Sequence, residues 1–287
     1  MERVKSAING IYKEESSNEA LFFLVKKKDS YYNELMEKPA GVMNKDYAEA
    51  REKNKVLVLR YKSRALELLE ALNLSSVSSH PDGEKPFELL DLGSAEGALL
   101  KFLIEKNPNI RVTGVEYSPE LIRASGDLPG NIHLIQGDVT ALPSEVKENR
   151  FDAVSAMAVV EHIENLEKLF HEVYSVLKEN GRMVISIPVS FWDRVSSKLG
   201  LMKGEFHVNE STPEKIIEIA EQQGFVLVMK RKFMSLPVAF VPYLGIAVNP
   251  YFQKKMDECW RKLLFFDFLF VNRLIVLEKK GHNFSGI

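Results

Sequence analysis

From Phe87 onward, apolar and polar residues follow two alternating rhythms. Short, nearly continuous apolar runs read as strands buried on both faces. Longer segments, with apolar residues at helical spacing, read as amphipathic helices. The expected strands are FELLDLG, RVTGVEY, NIHLIQGD, RFDAVSAMA, RMVISIPV, FVLVMKRKF and VNRLIVLEKK. Helices are expected in ALLKFLIEKN, in SPELIRAS with Ser118 as cap and Pro119 in its first turn, and in STPEKIIEIAEQQG up to Gly224. In NLEKLFHEVYSVLKENG, the residues Leu166, Leu169, Phe170, Val173, Tyr174 and Leu177 form one stripe, and Gly181 is the expected stop. Strand and helix in alternation imply an α/β fold: a Rossmann-like, doubly wound, mostly parallel sheet with helices on both faces.

Before Phe87 the pattern is helical and charged. One helix is expected over Asp46 to Leu74, with Val58, Tyr61, Ala65, Leu68, Leu69 and Leu72 on one face. The stretch SSVSSHPDGEKP reads as a linker. Near the other end, Leu236 to Pro250 holds no charge, while Pro237, Pro242, Gly245 and Pro250 forbid one straight helix. The expected organisation is an N-terminal helical cap and linker over 1–85, then a domain over 86–280 and a tail over 281–287. Excursions at 189–212 and 234–267, the second a C-terminal apolar insertion, are placed on the substrate side.

Composition narrows the class. The 287 residues are 45% hydrophobic and 27% charged, with a net charge of −2 from mixed signs, which disfavours a nucleic-acid partner. The single cysteine, Cys259 beside Trp260, excludes an internal disulfide and reads as a packing residue. No apolar run is long enough to span a membrane and no secretory signal is visible, so a cytoplasmic setting is expected.

The chemistry concentrates at FELLDLGSAEGALL, a strand turning into a helix through Gly93 and Gly97. Glycine at these positions permits unusual φ and lets backbone approach a ligand. A pyrophosphate-binding turn keeps neutral residues and a G-x-G-x-x-G spacing. Here Ala95 replaces the middle glycine and Glu96 follows it. Two like charges near 4 Å cost about 1 kcal/mol in water and several times more when partly buried. A cationic nucleoside without phosphate, S-adenosylmethionine, fits such a turn better. Glu116, 19 residues beyond Gly97, ends the second strand and offers two acceptor oxygens to ribose hydroxyls. Asp138 follows the third strand, where it can accept from an adenine amine, with Tyr117 and Val139 to flank the ring.

These segments, with FDAVSAMAVVEHI, resemble in order and spacing the class I S-adenosylmethionine-dependent methyltransferases, and within them the ubiquinone and menaquinone biosynthesis group. The resemblance covers about residues 86 to 230. It implies methyl transfer to an oxygen, carbon or nitrogen of a small or medium-sized acceptor, a lipid-like or quinone-like one among the alternatives, with S-adenosylhomocysteine as product. It further implies that Asp91, Gly93, Ser94 and Gly97 line the methionine part, and that Ala156 and Met157 lie near the methyl group. Ala95 and Glu96 depart from the family's usual small residues.

His162 stands where the crevice should open and is the candidate general base, against the alternative of a helix-start residue. His207, in GEFHVNEST, lies in an excursion that could reach over the site, the alternative being a solvent-facing loop residue. A metal-assisted pattern would need an acid where Ala158 stands, so no metal is expected. The apolar insertion reads as a capping subdomain, with a substrate wall or a peripheral membrane contact as alternatives. Rival readings for the whole chain are an NAD-dependent oxidoreductase and a non-catalytic binding module.

Overall fold

A computed structural model describes residues 45–75, 85–189, 192, 212–262 and 268–281. All but Trp192 belong to one compact unit, residues 41–190 and 206–287. Residues 1–44 of the expected cap, most of the linker and the excursion holding His207 lie outside the described residues. So do 263–267 and most of the tail.

The apolar runs become seven strands: β1 (Phe87–Leu92), β2 (Ile110–Glu116), β3 (Ile132–Gln136), β4 (Phe151–Met157), β5 (Leu177–Pro188), β6 (Phe225–Ser235) and β7 (Phe270–Lys279). They form one sheet in the order β3-β2-β1-β4-β5-β7-β6. β1 to β5 pair in parallel, and only β7 runs antiparallel to its neighbours. The expected fold class is the one observed. Between β1 and β4 the chain changes direction across the sheet, and the carboxyl ends of these strands open a crevice there.

Helices cover both faces. On one, α5 (Ser144–Lys147), α6 (Leu166–Val176) and α7 (Pro213–Gln222) bury Val146, Phe170 and Ile216 among the sheet residues Leu90, Val154 and Ile185. On the other, α2 (Lys55–Ala71) and α3 (Ala98–Lys106) bury Leu68, Leu69, Leu100 and Leu103 against Leu89, Val112 and Val184. Two remaining helices, α1 (Lys45–Lys53) and α4 (Pro119–Ala124), lie near the opening of the crevice. Ser118 caps α4 by accepting from Leu121 N, as its position suggested, and Thr212 caps α7 by accepting from Lys215 N.

Two helix limits differ from the sequence reading. The expected helix over 46–74 is broken at Asn54, whose side chain accepts from Val56 N and starts α2 afresh. α2 then buries Leu57, Leu59 and Leu66 beyond the expected stripe, because α3 and the insertion cover it from two sides. α6 ends at Val176 rather than at Gly181. The next residues bulge from the sheet, with Phe151 opposite Leu177 and Ala153 opposite Arg182. Asn180 adopts φ 60° in that bulge, and a side chain on Gly181 would meet the Lys178 carbonyl at 2.8 Å. Gly181 thus serves the bulge.

The apolar insertion is broken as its prolines demand. A short helix α8 (Leu236–Ala239), a 3-10 turn (Val241–Leu244) and α9 (Pro250–Lys262) succeed one another. Cys259 is an exposed thiol on α9, contrary to the packing role expected for it. No helix among the described residues is long and apolar enough to cross a membrane.

Candidate functional site

Asp91, Glu116 and Asp138 stand at or just beyond the carboxyl ends of β1, β2 and β3, where the sheet holds their backbones. The turn after β1 is tight: Gly93, Ala95 and Gly97 all take left-handed φ of 68°, 51° and 79°. A Cβ on Gly93 would come within 2.5 Å of Val159 Cγ2, so glycine is required there for space as well as conformation. Ala95 bears its methyl in the strained region and buries it against Ala48 and Leu121.

The amides of this turn point inward. Gly93 N and Ser94 N donate to the Val115 carbonyl, Gly97 N donates to the Ser94 carbonyl, and Ala95 N donates to Glu116 Oε2 at 2.9 Å. A phosphate-binding turn keeps these donors for its ligand. Here they serve the protein, which argues against a diphosphate more directly than charge does.

Glu116 is buried, and its Oε1 accepts from Ser118 N at 2.8 Å. Each oxygen thus takes one amide, which fixes the carboxylate, and each retains a second lone pair for a ligand hydroxyl. Asp91 lies deeper, 3% exposed, with Oδ1 accepting from Ser155 Oγ at 2.6 Å. Burial pushes its carboxyl up to about 6, although the Ser155 and Ser94 hydroxyls and Arg51 oppose the rise. Ser94 Oγ also donates to the Asp91 carbonyl at 2.9 Å. Asp138 is exposed, and its Oδ1 accepts from both Thr140 N and Thr140 Oγ1. Oδ2 takes part in neither bond. Tyr117 is 64% exposed beside Glu116, and Val139 is buried beside Asp138.

Ala156 and Met157 end β4 and are buried. Ala158 follows at φ 61°, and Val160–His162 form a 3-10 turn with Glu161 buried and His162 half-buried. Since β1 and β4 are neighbours, β4's end lies next to the turn after β1, with Val159 against Gly93, and the 3-10 turn bearing His162 follows.

Glu96 is not the bare acid that the sequence suggested. Arg51 of α1 grips it, Nε to Oε1 at 3.1 Å and Nη1 to Oε2 at 3.4 Å, with both side chains largely buried. The guanidinium lies 5.7 Å from the Tyr47 ring centroid and 5.4 Å from that of Tyr61. Burial raises the Glu96 carboxyl and Arg51 works against it. The acidity of the crevice therefore comes from Asp91, Glu116 and Asp138, while Glu96 fastens α1 over the turn.

Sequence reasoning missed Arg51 and Ser155. Ser155 left a faint signal, a small polar residue inside an apolar strand, and the register places it directly across from Asp91. Arg51 left none, since its partner is 45 residues away.

Comparison with known proteins gives this crevice its context. The model of a family described as "Methyltransferase domain" matches residues 90–185. The demethylmenaquinone methyltransferase of Thermotoga maritima is 24% identical over 206 residues, 63% of this chain and 83% of that one. The mitochondrial ubiquinone biosynthesis O-methyltransferase of Rattus norvegicus is 30% identical over 173 residues, 53% of this chain and 49% of that one. A solved SAM-dependent methyltransferase from Archaeoglobus fulgidus superposes with a TM-score of 0.53 at 20% identity, over 81% of this chain and 99% of the other, a likeness of fold. With its β3-β2-β1-β4-β5-β7-β6 sheet the chain has the Rossmann-like methyltransferase fold, residues 90–185 match a methyltransferase domain, and the chain is similar to S-adenosylmethionine-dependent methyltransferases.

Proposed function

We propose that S-adenosylmethionine lies across the carboxyl ends of β1 and β2, with its methyl directed past β4. Glu116 would hold the ribose hydroxyls, Asp91 the α-ammonium, and Asp138 the adenine amine, with Tyr117 and Val139 against the ring. Gly93, Ser94 and Gly97 would give the methionine part its close backbone approach, and Ala156 and Met157 a dry wall near the sulfur. The single observation that carries this reading is the Glu116 carboxylate, fixed by Ala95 N and Ser118 N. A fixed acceptor lowers the ordering cost of binding.

Bound there, the cofactor supplies an electrophilic methyl group on a cationic sulfur. What the protein must add is placement and exclusion of water, and a well-oriented pair of reactants can supply much of the acceleration. His162, on the 3-10 turn after β4, would face the crevice and take a proton from an acceptor hydroxyl.

The acceptor we infer is small to medium-sized, apolar and quinone-like, a reading supported by the substrates named for the two relatives above. An apolar acceptor also suits the segment 236–271, for which a peripheral membrane contact is the matching proposal. The single cysteine, an exposed thiol, suits a reducing cytoplasm. Incubation with methyl-labelled cofactor and two acceptors, a prenylated dihydroxybenzene and a tricarboxylate, tests the acceptor class. Label is expected in the prenylated compound, and label in the acid alone would overturn the inference. His162→Gln is expected to lower kcat about 10²-fold or more with cofactor affinity unchanged, and an unchanged kcat would remove it as the base.

A further inference from the structure

We propose that α9, the 3-10 turn Val241–Leu244 and the adjoining flank of α2 form a face that docks on an anionic phospholipid surface. The proposal deepens the membrane reading of segment 236–271 but is independent of the cofactor chemistry.

The first observation is that α9 is inside out. Gln253 and Asp257, one turn apart, are each 1% exposed, whereas Tyr251 and Phe252 are 50% and 55% exposed. Its buried side is fastened by polar bonds. Asp257 accepts from Met234 N and Ser235 N, both at 2.7 Å, and Gln253 Nε2 donates to Asp257 Oδ1 at 2.7 Å and to Ser235 Oγ at 3.1 Å. These bonds fix the rotation of the helix, so the two aromatic rings are held outward by construction. A helix that merely packs on a sheet presents the opposite polarity.

Second, the preceding segment extends the same character. Leu244 and Ile246 are more than half exposed and Phe240 is 38% exposed. Phe240 stacks on Tyr243 with centroids 5.6 Å apart, and α2 supports the turn from below. α9 and the 3-10 turn both pack on α2, and exposed apolar side chains on adjoining elements, with rings able to sit at headgroup depth, are the pattern of an interfacial surface.

Third, cations ring these side chains. Lys55 Nζ donates to the Gly245 carbonyl at 2.6 Å, and Arg60 Nη2 to Tyr243 Oη at 3.4 Å. Lys106 Nζ lies 6.0 Å from the Tyr251 ring centroid. Lys255 shares the outer side of α9 with Tyr251 and Phe252 by helical spacing. The acids nearby are few: Glu105 is paired with Lys106, Glu70 with Arg231 and Lys254, and Glu258 stands a turn beyond Lys255. Lys55, Arg60 and Lys255 thus flank these apolar side chains with positive charge in a chain of net charge −2.

This charge selects the occupant. A two-fold contact with a second copy would set the face against itself, cation against cation. A nucleic-acid strand could stack on Tyr251 and Phe252 but would leave the aliphatic Leu244 and Ile246 exposed to water. An anionic bilayer supplies both an apolar interior for the rings and phosphates for the lysines.

Sedimentation with vesicles of phosphatidylcholine, alone or mixed with phosphatidylglycerol, tests the proposal on the full chain. The parent should pellet with the anionic vesicles only, and raised salt should release it. Each lysine neutralisation, Lys55→Gln or Lys255→Gln, should weaken partitioning roughly fivefold. Tyr251→Ser with Phe252→Ser should abolish pelleting while thermal melting and cofactor binding stay at parental values. Three results would overturn the proposal: no pelleting with either vesicle, pelleting of the aromatic double variant like the parent, or a parent dimer that this variant converts to monomer. A chain that ignores vesicles but binds cofactor would defeat the docking face and leave the methyltransferase reading intact.

Discussion

Asp91 shows how one buried carboxyl ties the crevice to pH. An exposed aspartate releases its proton near 3.8, whereas folded Asp91 keeps it to about 6 because burial penalises the charge. Its contribution to stability is therefore present below about 4 and lost as pH rises through about 6. An ammonium group beside it reverses that preference, so cofactor binding below about 6 must expel a proton. Calorimetry should find affinity level at neutral pH and falling about tenfold per unit below about 6. The Arg51 and Glu116 charges also face Asp91. Asp91→Asn should bind more weakly at neutral pH with the slope removed, and a slope that survives would assign the proton elsewhere. At this scale the sequence was half legible. Glycine spacing and the strand pattern put Asp91, Glu116 and Asp138 at the strand ends, where they are found, because those positions are set by local elements. Glu96 was misread as a bare acid because what neutralises it comes from a distant helix.

The helix α1 is the element that the crevice depends on and the sequence said least about. Tyr47 and Ala48 pack against Ala95, and Arg51 holds Glu96, so α1 bears on the turn after β1. Removing one partner of a largely buried ion pair leaves the other charge uncompensated, commonly a loss of about 3–5 kcal/mol. Both partners keep some exposure, so Arg51→Ala should cost about 2–4 kcal/mol in denaturant unfolding and weaken cofactor binding with it. Arg51→Met with Glu96→Gln should recover most of that stability, and an Arg51→Ala melt equal to the parent would show the pair to be idle. The strands were the best-read elements, since buried parallel strands are short apolar runs bounded by turn residues. Helix ends were read less well. Asn54 breaks a continuous periodicity by capping α2, and the bulge at Asn180 takes residues that would extend α6. Both depend on backbone bonds that side-chain periodicity does not encode.

For the whole molecule, alternating elements foretold the doubly wound sheet, and the antiparallel β7 is what the long insertion before it delivers. The insertion's apolar content was plain in the sequence, but its direction was not: that Gln253 and Asp257 face inward while Tyr251 and Phe252 face outward is settled by bonds to Met234 and Ser235. Above all, the strand ends should bind a sulfonium nucleoside and decline a diphosphate. Titration calorimetry of the parent and Glu116→Ala with S-adenosylhomocysteine and with NAD measures this directly. The parent should bind the adenosyl compound and show no heat with NAD. Loss of the charged acceptor should weaken binding about 10- to 100-fold. Tight binding of NAD, or a Glu116→Ala variant that binds the adenosyl compound as the parent does, would contradict the account.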